Sequence, residues 1–452
     1  MAVETIHHES QTGTQAGPAA ETVGEQHASV SRPGTGAASG PAPDTQSAAP
    51  PGRTRRRRDS THLTVTRHQG LAELRGLRPA WDELYERSNS RNPYAAPAWI
   101  ETWLRYFTAS RDIEVLAVSR DDRLVGVAPC YVRRIGRWVR TVQFAGTGRH
   151  DALTELPGVL SEPEESRSVL RAVVQHWCER YAEWDWLELP IAGQQGWFEP
   201  EWLSGEPAGR SVIRHKTTRP SVVLPLPDEP EALRSSLKRN VKESVRRGRN
   251  RLGRTGSPWA ITAHSTPAEV GAAWPTLARL HAARAGIAGP RRHPDALGVP
   301  GRAEFLAEVL PLLAAQGGAE ILTLDVDGES VAAQAVLLAP KASYLPFSGV
   351  DPLWWDVSPV TLLQLAAGER AIERGHEELN LSLGPDVAKL RWSELVVQHP
   401  DFVLCGPRRR SRLAYTGYAV AAEGAGIRRE AGRHRAGTGS VKAAGRGDGE
   451  SS

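Results

Sequence analysis

YLPFSGVDPLWWDVSPVTLLQLAAGERAIERGHEELNLSLGPDVAKLRWSE, residues 344–394, carries the strongest local signals in the chain. SYLPFSG (343–349) and EELNLSLG (377–384) have the length and apolar content of strands, and SPVTLLQLAAGERAIERG (358–375) between them has the pattern of a helix. Ser358 stands at its N-cap, Pro359 at the first helical position and Gly375 just past the last turn. The unpaired N–H groups and the dipole at such a start suit a pyrophosphate, and an ordinary capped helix carries the same signature.

The preceding segments extend the pattern. EILTLDVDGESVAAQAVLLA (320–339) is a hairpin turning at Asp327–Gly328, and RAEFLAEVLPLLAAQG (302–317) and PAEVGAAWPTLARLHAARA (267–285) are helices. DEPEALRSSLKRNVKESVRRGRNRL (228–252) reads as one helix, capped by Asp228 with Glu231 completing a box, after a strand at SVVLPLP (221–227). The first half has the same order. LTVTR (63–67) is a strand, and PAWDELYERS (79–88) and APAWIETWLRYF (96–107) are helices. IEVLAVS (113–119) and RLVGVAPCYVRR (123–134) form a hairpin, followed by the strand RTVQFAG (140–146). SRSVLRAVVQHWCERYAEW (166–184) is a helix with Val169, Val173, Trp177 and Tyr181 on one stripe, and DWLELPI (185–191) is the strand after it. Helix, helix, hairpin, strand, helix, strand thus occurs twice. The expectation is an α/β (α+β) mixed sheet with helices on both faces, in two tandem domains at 59–227 and 228–406.

Residues 1–58 contain no Leu, Phe, Tyr or Trp, and 407–452 form a basic tail with almost no apolar content beyond Gly424. Neither composition buries enough apolar area to offset the entropy of ordering, so both are expected to be mostly disordered. The net charge of +4 is unevenly spread: residues 234–254 hold nine Lys or Arg against one Glu. With that segment and both tails removed, the remaining body is acidic, so the overall basic charge is not evidence for a nucleic-acid-binding protein as a whole. Leu233, Leu237, Val241 and Val245 give the basic segment a narrow apolar stripe. Its bases suit the phosphates of a coenzyme, a nucleotide-linked sugar or tRNA, or simply the acidic body. Cys130, Cys178 and Cys405 are too sparse for a disulfide framework and lack metal-ligand spacing, and no apolar run approaches a membrane span. The polar DSTHLTVTRHQG after RTRRRR (53–58) does not suit an export signal, so a cytoplasmic protein without a bound metal is expected.

Residues 344–394, together with NPYAAPAWIETWLRYF (92–107) and RLVGVAPCYVRR, resemble the GNAT-like acetyltransferases of the CelD/BcsL family, in the FemAB-type superfamily. That family's order is a strand ending in SG-x-D, SPG-x-LL, a helix ending in Gly, a strand, and G-x-x-x-YK-x-RW. Val360, Asn380 and Ala388 depart from it, standing where Gly, Asp and an aromatic residue are usual.

The resemblance implies two tandem GNAT-like acyl-CoA N-acyltransferase domains, with an acyl donor in the opening between Tyr344–Gly349 and Glu378–Leu383. Ser348, Gly349, Ser358 and Thr361 are the expected donor-binding residues, with Arg239 and Arg246 of the basic helix reaching its phosphates. His281 and Asp351 are candidate bases for an acceptor amine, which must lose a proton to attack. Lys389 is the candidate for neutralising phosphate or developing oxyanion charge, with a salt bridge to Asp386 as its structural alternative. Trp99, Trp103, Asp151 and Arg284 are expected near the acceptor, with core packing favoured for the tryptophans and a histidine–carboxylate bond as the alternative for His281. The implied co-substrate is acetyl-CoA or another acyl-CoA, with no permanently bound cofactor. The alternatives are an aminoacyl-tRNA-dependent transferase and a non-catalytic accessory protein of polysaccharide biosynthesis.

Overall fold

A computed structural model describes residues 63–148, 153–192, 198–203, 211–287 and 293–422. Its strands are β1 Leu63–Gln69, β2 Ile113–Arg120, β3 Arg123–Ile135, β4 Val139–Phe144, β5 Leu160–Ser161, β6 Trp186–Pro190 and β7 Val212–Pro225. They continue with β8 Trp259–His264, β9 Ala319–Val326, β10 Glu329–Ala339, β11 Ala342–Tyr344, β12 Ser348–Val350, β13 Glu378–Leu383 and β14 Val396–Cys405. The helices are α1 Gly70–Arg87, α2 Pro97–Phe107, α3 Ser166–Glu179, α4 Pro200–Leu203 and α5 Pro230–Ser236. After them come α6 Arg239–Arg254, α7 Pro267–Ala285, α8 Arg302–Ala314, α9 Pro359–Glu373 and α10 Val387–Leu390.

All the strands join one mixed sheet, ordered β1-β2-β3-β4-β6-β14-β7-β13-β11-β10-β9-β8, with β5 on β3 and β12 on β10. Among the described residues only β4–β6 and β11–β13 pair in parallel. The order is nearly symmetric about its centre, where each half lends a strand to the other. β7 follows β6 in sequence yet pairs with β13, and β14 follows β13 yet pairs with β6. β7 and β14 pair with each other and close the sheet between the halves.

Helices cover both faces, as the apolar periodicities require. On one face α1, α2, α7 and α8 share a core that runs across both halves, and its aromatic centre is Tyr94, Trp99, Phe305 and Tyr344. On the other face α3 covers the first half, and α5, α6 and α9 cover the second. Both hairpin turns use left-handed residues, Asp121–Asp122 and Asp327–Gly328, which match the right-handed twist of the strands. Among the described residues no helix is long and apolar enough to cross a membrane.

Several local expectations are corrected. The helix anticipated over 228–252 is two, because Leu237 and Lys238 are both extended. The break lets Leu233, Leu237, Val241 and Val245 all stay buried while the chain changes direction. Lys238 holds it in place by donating to the Leu390 carbonyl and pairing with Glu394. Asp228 and Glu231 form no capping box there; Glu229 occupies the N-cap without a side-chain bond. The box occurs instead at Thr266 and Glu269, at the start of α7. α1 begins at Gly70, well before Pro79, and α3 stops at Glu179, which leaves Tyr181 42% exposed and off the buried stripe. β8 and β14 were not anticipated, and residues 409–422 of the expected C-terminal tail are helical, with Tyr415 and Tyr418 on Trp186. SYLPFSG is not one strand: β11 and β12 are separated by Leu345–Phe347. Pro346 has no N–H to give a ladder, and the register against β10 slips by one residue across it.

Candidate functional site

That slip creates the site. β11 pairs with β13 as far as Tyr344 and Asn380, and the Leu345 N–H donates to the Asn380 carbonyl at 2.9 Å. Beyond this point β12 follows β10 alone, so the two strands part. The Ala335 N–H donates to the Phe347 carbonyl and the Asp351 N–H to the Val331 carbonyl, so the odd-numbered residues of this segment bond β10. In an antiparallel ladder the residues between them point the other way. Ser348 and Val350 therefore turn their backbone N–H groups away from β10, toward the β13 side of the opening.

α7 lies close over β12 because Gly349 has no side chain. A Cβ there would stand 2.4 Å from the His281 backbone nitrogen and 2.6 Å from the Leu280 carbonyl carbon. Gly349→Ala should therefore destabilise the fold by about 3 kcal/mol, the upper part of the range for overpacking, because backbone cannot yield as a side-chain tip does. Urea denaturation of the purified variant checks this.

His281 is buried, and both ring nitrogens are engaged. Nε2 accepts from the Ala296 N–H at 3.3 Å, which leaves Nδ1 to donate to the Ser348 carbonyl at 3.0 Å. Its partners are backbone groups, with Asp295 Oδ1 3.8 Å from Nε2. Burial lowers its pKa, and the bond to Ser348 opposes that shift. Arg284, one turn on, donates to Ser348 Oγ. The His281–Arg284 pair thus grips Ser348 from the α7 side.

The opposite wall is β13 and the short α10. Lys389 donates its ammonium to the Leu383 carbonyl, and its pKa is lowered by burial. Asp386 does not form the alternative ion pair; its carboxylate caps α10 by accepting from the Lys389 backbone N–H at 2.9 Å.

Between these walls stands a group the sequence did not disclose. Glu155, from the loop after β4, is buried against β11 and β13. Its carboxylate accepts from Tyr344 Oη at 2.5 Å, from Ser382 Oγ at 2.6 and 2.8 Å, and from the Leu383 N–H at 2.9 Å. Arg219 of β7 donates to the Glu155 carbonyl and pairs with Asp401 of β14. Asn380, one of the departures from the family pattern, has a structural post beside them: its amide donates to Ser221 Oγ and accepts from the Ser382 N–H.

Asp351 caps the 3-10 turn Pro352–Val357, accepting from the Leu353 N–H at 3.0 Å. Ser358 occupies the α9 N-cap in a left-handed backbone, φ 52°, which keeps its hydroxyl from capping the helix. The Thr361 and Leu362 N–H groups already go to the Ser358 carbonyl, so fewer donors are free at this start than the sequence implies. Thr361 Oγ1 accepts from Arg391, which also reaches Ser244 of α6. Arg239 and Arg246 are exposed on α6, Arg246 being paired with Glu243. Trp99 and Trp103 are fully buried, and Trp99 donates to Thr154 Oγ1 at 2.9 Å, which helps hold the Glu155 loop. Asp151 lies outside the described residues.

The strand order, the helices on both faces and the parting of β12 from β13 define a GNAT-like mixed α/β fold, repeated in tandem within one sheet. Residues 239–390 match the family model described as Acetyltransferase (GNAT) domain. No curated protein matches the sequence. Among solved structures, the crystal structure of FemX is similar over 74% of this chain and 98% of its own, with 12% identity and a TM-score of 0.54. A tandem GNAT protein from the clavulanic acid biosynthesis pathway matches 77% of this chain and 100% of its own, at 13% identity and a TM-score of 0.41. A conserved protein of unknown function from Bacteroides thetaiotaomicron VPI-5482 covers 73% and 97%, at 13% identity and a TM-score of 0.45. At such identities the likeness to FemX is one of fold.

A buried histidine near the centre of the sheet has a consequence for acid stability. His399 of β14 bonds Ser221 Oγ at 2.9 Å, and burial pushes its pKa down to about 3, with Arg219 adding to the effect. Between pH 3 and about 6.5 the unfolded chain binds this proton and the folded one does not. Its stability contribution is whole above pH 6.5 and falls by roughly 1.4 kcal/mol per pH unit below it. Urea midpoints at pH 7 and pH 5 should show a smaller drop for His399→Gln than for the wild type.

Proposed function

We propose that the protein is an N-acyltransferase that moves an acyl group, acetyl in the simplest case, from acyl-CoA to an amine. The parting of β12 from β13, inside the segment that matches the GNAT domain model, is the observation that carries this reading. The thioester would lie in that opening, its carbonyl oxygen accepting from the Ser348 or Val350 N–H, and the pyrophosphate would lie toward Ser358 and Thr361. Arg239 and Arg246 would meet the outer phosphates. The acceptor nitrogen attacks the thioester carbon, the C–N bond forms as an oxyanion develops, and the C–S bond breaks to release coenzyme A. Preorganised donors aimed at that oxyanion supply most of the rate in such chemistry, and Lys389 supplies a cation on the facing wall.

Proton removal from the amine falls to Asp351 or to solvent in this proposal. His281 is assigned a positioning role, because taking a second proton would cost it the Ala296 bond. The acceptor class is an amino sugar, an amino acid or a cell-envelope precursor, in keeping with the CelD/BcsL-like motifs. Release of free thiol from acetyl-CoA, followed with glucosamine and with lysine as acceptors, tests the reading. Amine-dependent release supports it, and release that no amine accelerates contradicts it.

A further inference from the structure

α6 presents more positive charge than packing needs. It buries Val241, Val245, Gly248 and Leu252 and leaves all of its arginines and Lys242 exposed. Glu243 on the same helix pairs with Arg246 and Arg247, and Arg251 donates to the Asp356 carbonyl. Among the described residues Arg239, Arg249 and Arg254 have no ion-pair partner. The acidic body therefore does not neutralise this face.

Two apolar tips lie along one side of the helix. Gly248 lies so close to the 3-10 turn Pro352–Val357 that a Cβ would stand 2.4 Å from the Val357 carbonyl oxygen. That turn holds Leu353 89% exposed. Further along the same side, Arg391 bonds Ser244, four residues before Gly248 and next to α10, where Val387 is 84% exposed. A basic helix bordered by protruding aliphatic side chains is the combination that anionic headgroups over hydrocarbon complement. Single-stranded nucleic acid is held by stacking bases on aromatic rings, whereas Trp354 and Trp355 of this turn pack against the core and the protruding tips are aliphatic.

We propose that α6, the turn Pro352–Val357 and α10 form a peripheral docking surface for an anionic lipid bilayer. Arg247 and Arg254, seven residues apart on the side nearer the turn, meet the headgroups and Leu353 enters the acyl boundary. The acceptor would then reach the β12–β13 opening from the membrane surface.

The test is co-sedimentation of the full chain with mixed phosphatidylglycerol–phosphatidylcholine vesicles and with pure phosphatidylcholine vesicles, at low and high salt. The wild type should pellet with the anionic vesicles only, and less at high salt. Since each base near such a surface contributes roughly fivefold, R247E/R254E should weaken binding on the order of twenty-fivefold, and the corresponding double Lys variant should retain it. Leu353→Asp should weaken binding at high salt, where the apolar contact carries more of it. Near-wild-type melting temperatures show that each variant is folded. The proposal is overturned if the wild type ignores anionic vesicles, if it binds both vesicles alike, or if it shifts tRNA in a gel while leaving vesicles in solution. It is also overturned if charge reversal leaves vesicle binding unchanged. The experiment uses no acyl donor, so its outcome is independent of the acyltransferase reading.

Discussion

Glu155→Ala should lower the stability of the fold by about 3–4 kcal/mol, seen as a fall in the urea midpoint with an unchanged slope. The substitution strands the Tyr344 hydroxyl, the Ser382 hydroxyl and the Leu383 N–H in a buried site. A buried donor left without an acceptor costs about 1–3 kcal/mol, far more than the hydrogen bond was worth net. Glu155→Gln keeps one acceptor oxygen and much of the shape, so about half that loss is expected. The contrast matters because Glu155 belongs to the first half and its partners to the second. Midpoints for Glu155→Ala within 0.5 kcal/mol of the wild type, on the order of ordinary surface variants, would show that the carboxylate does not tie the halves together.

Lys389→Ala should reduce kcat on the order of a hundredfold while leaving acetyl-CoA affinity within a few fold. Its ammonium is held at the Leu383 carbonyl, on the wall facing Ser348, and burial already lowers its pKa. A group that serves the transition state changes kcat, whereas one that only grips phosphate changes donor affinity. Lys389→Arg keeps the charge but not the compact ammonium, and should recover part of the rate. Unchanged kcat with weakened donor binding would assign Lys389 to the phosphates instead.

How far the sequence led is clearest element by element. The α9 helix carried its own stop and start residues, and the Asp327–Gly328 turn its own chemistry, so both were legible locally. The repeated order of elements conveyed the tandem fold because apolar periodicity survives when identity does not. The β11–β12 break was hidden, since SYLPFSG reads as uniformly strand-like and only Pro346 hints otherwise. β14 was missed because VVQHPDFVLC contains Pro400 and polar residues, although pairing on both sides holds it in the sheet centre. The split at Leu237–Lys238 shows packing overriding helix propensity: the break lets four apolar residues stay buried along a surface that turns. Glu155 had no local signature at all. Its Tyr344 partner is 189 residues away, and a single Glu in TELPG looks like any loop carboxylate.

In the proposed complex an acyl-CoA donor occupies the opening between β12 and β13. Calorimetric titration of the purified chain with acetyl-CoA tests it most directly, alongside a Ser358→Trp variant whose melting temperature shows it folded. The wild type should bind in the micromolar range and lose that binding when the indole fills the approach to α9. Absence of heat at millimolar donor, or undiminished binding by Ser358→Trp, would contradict it.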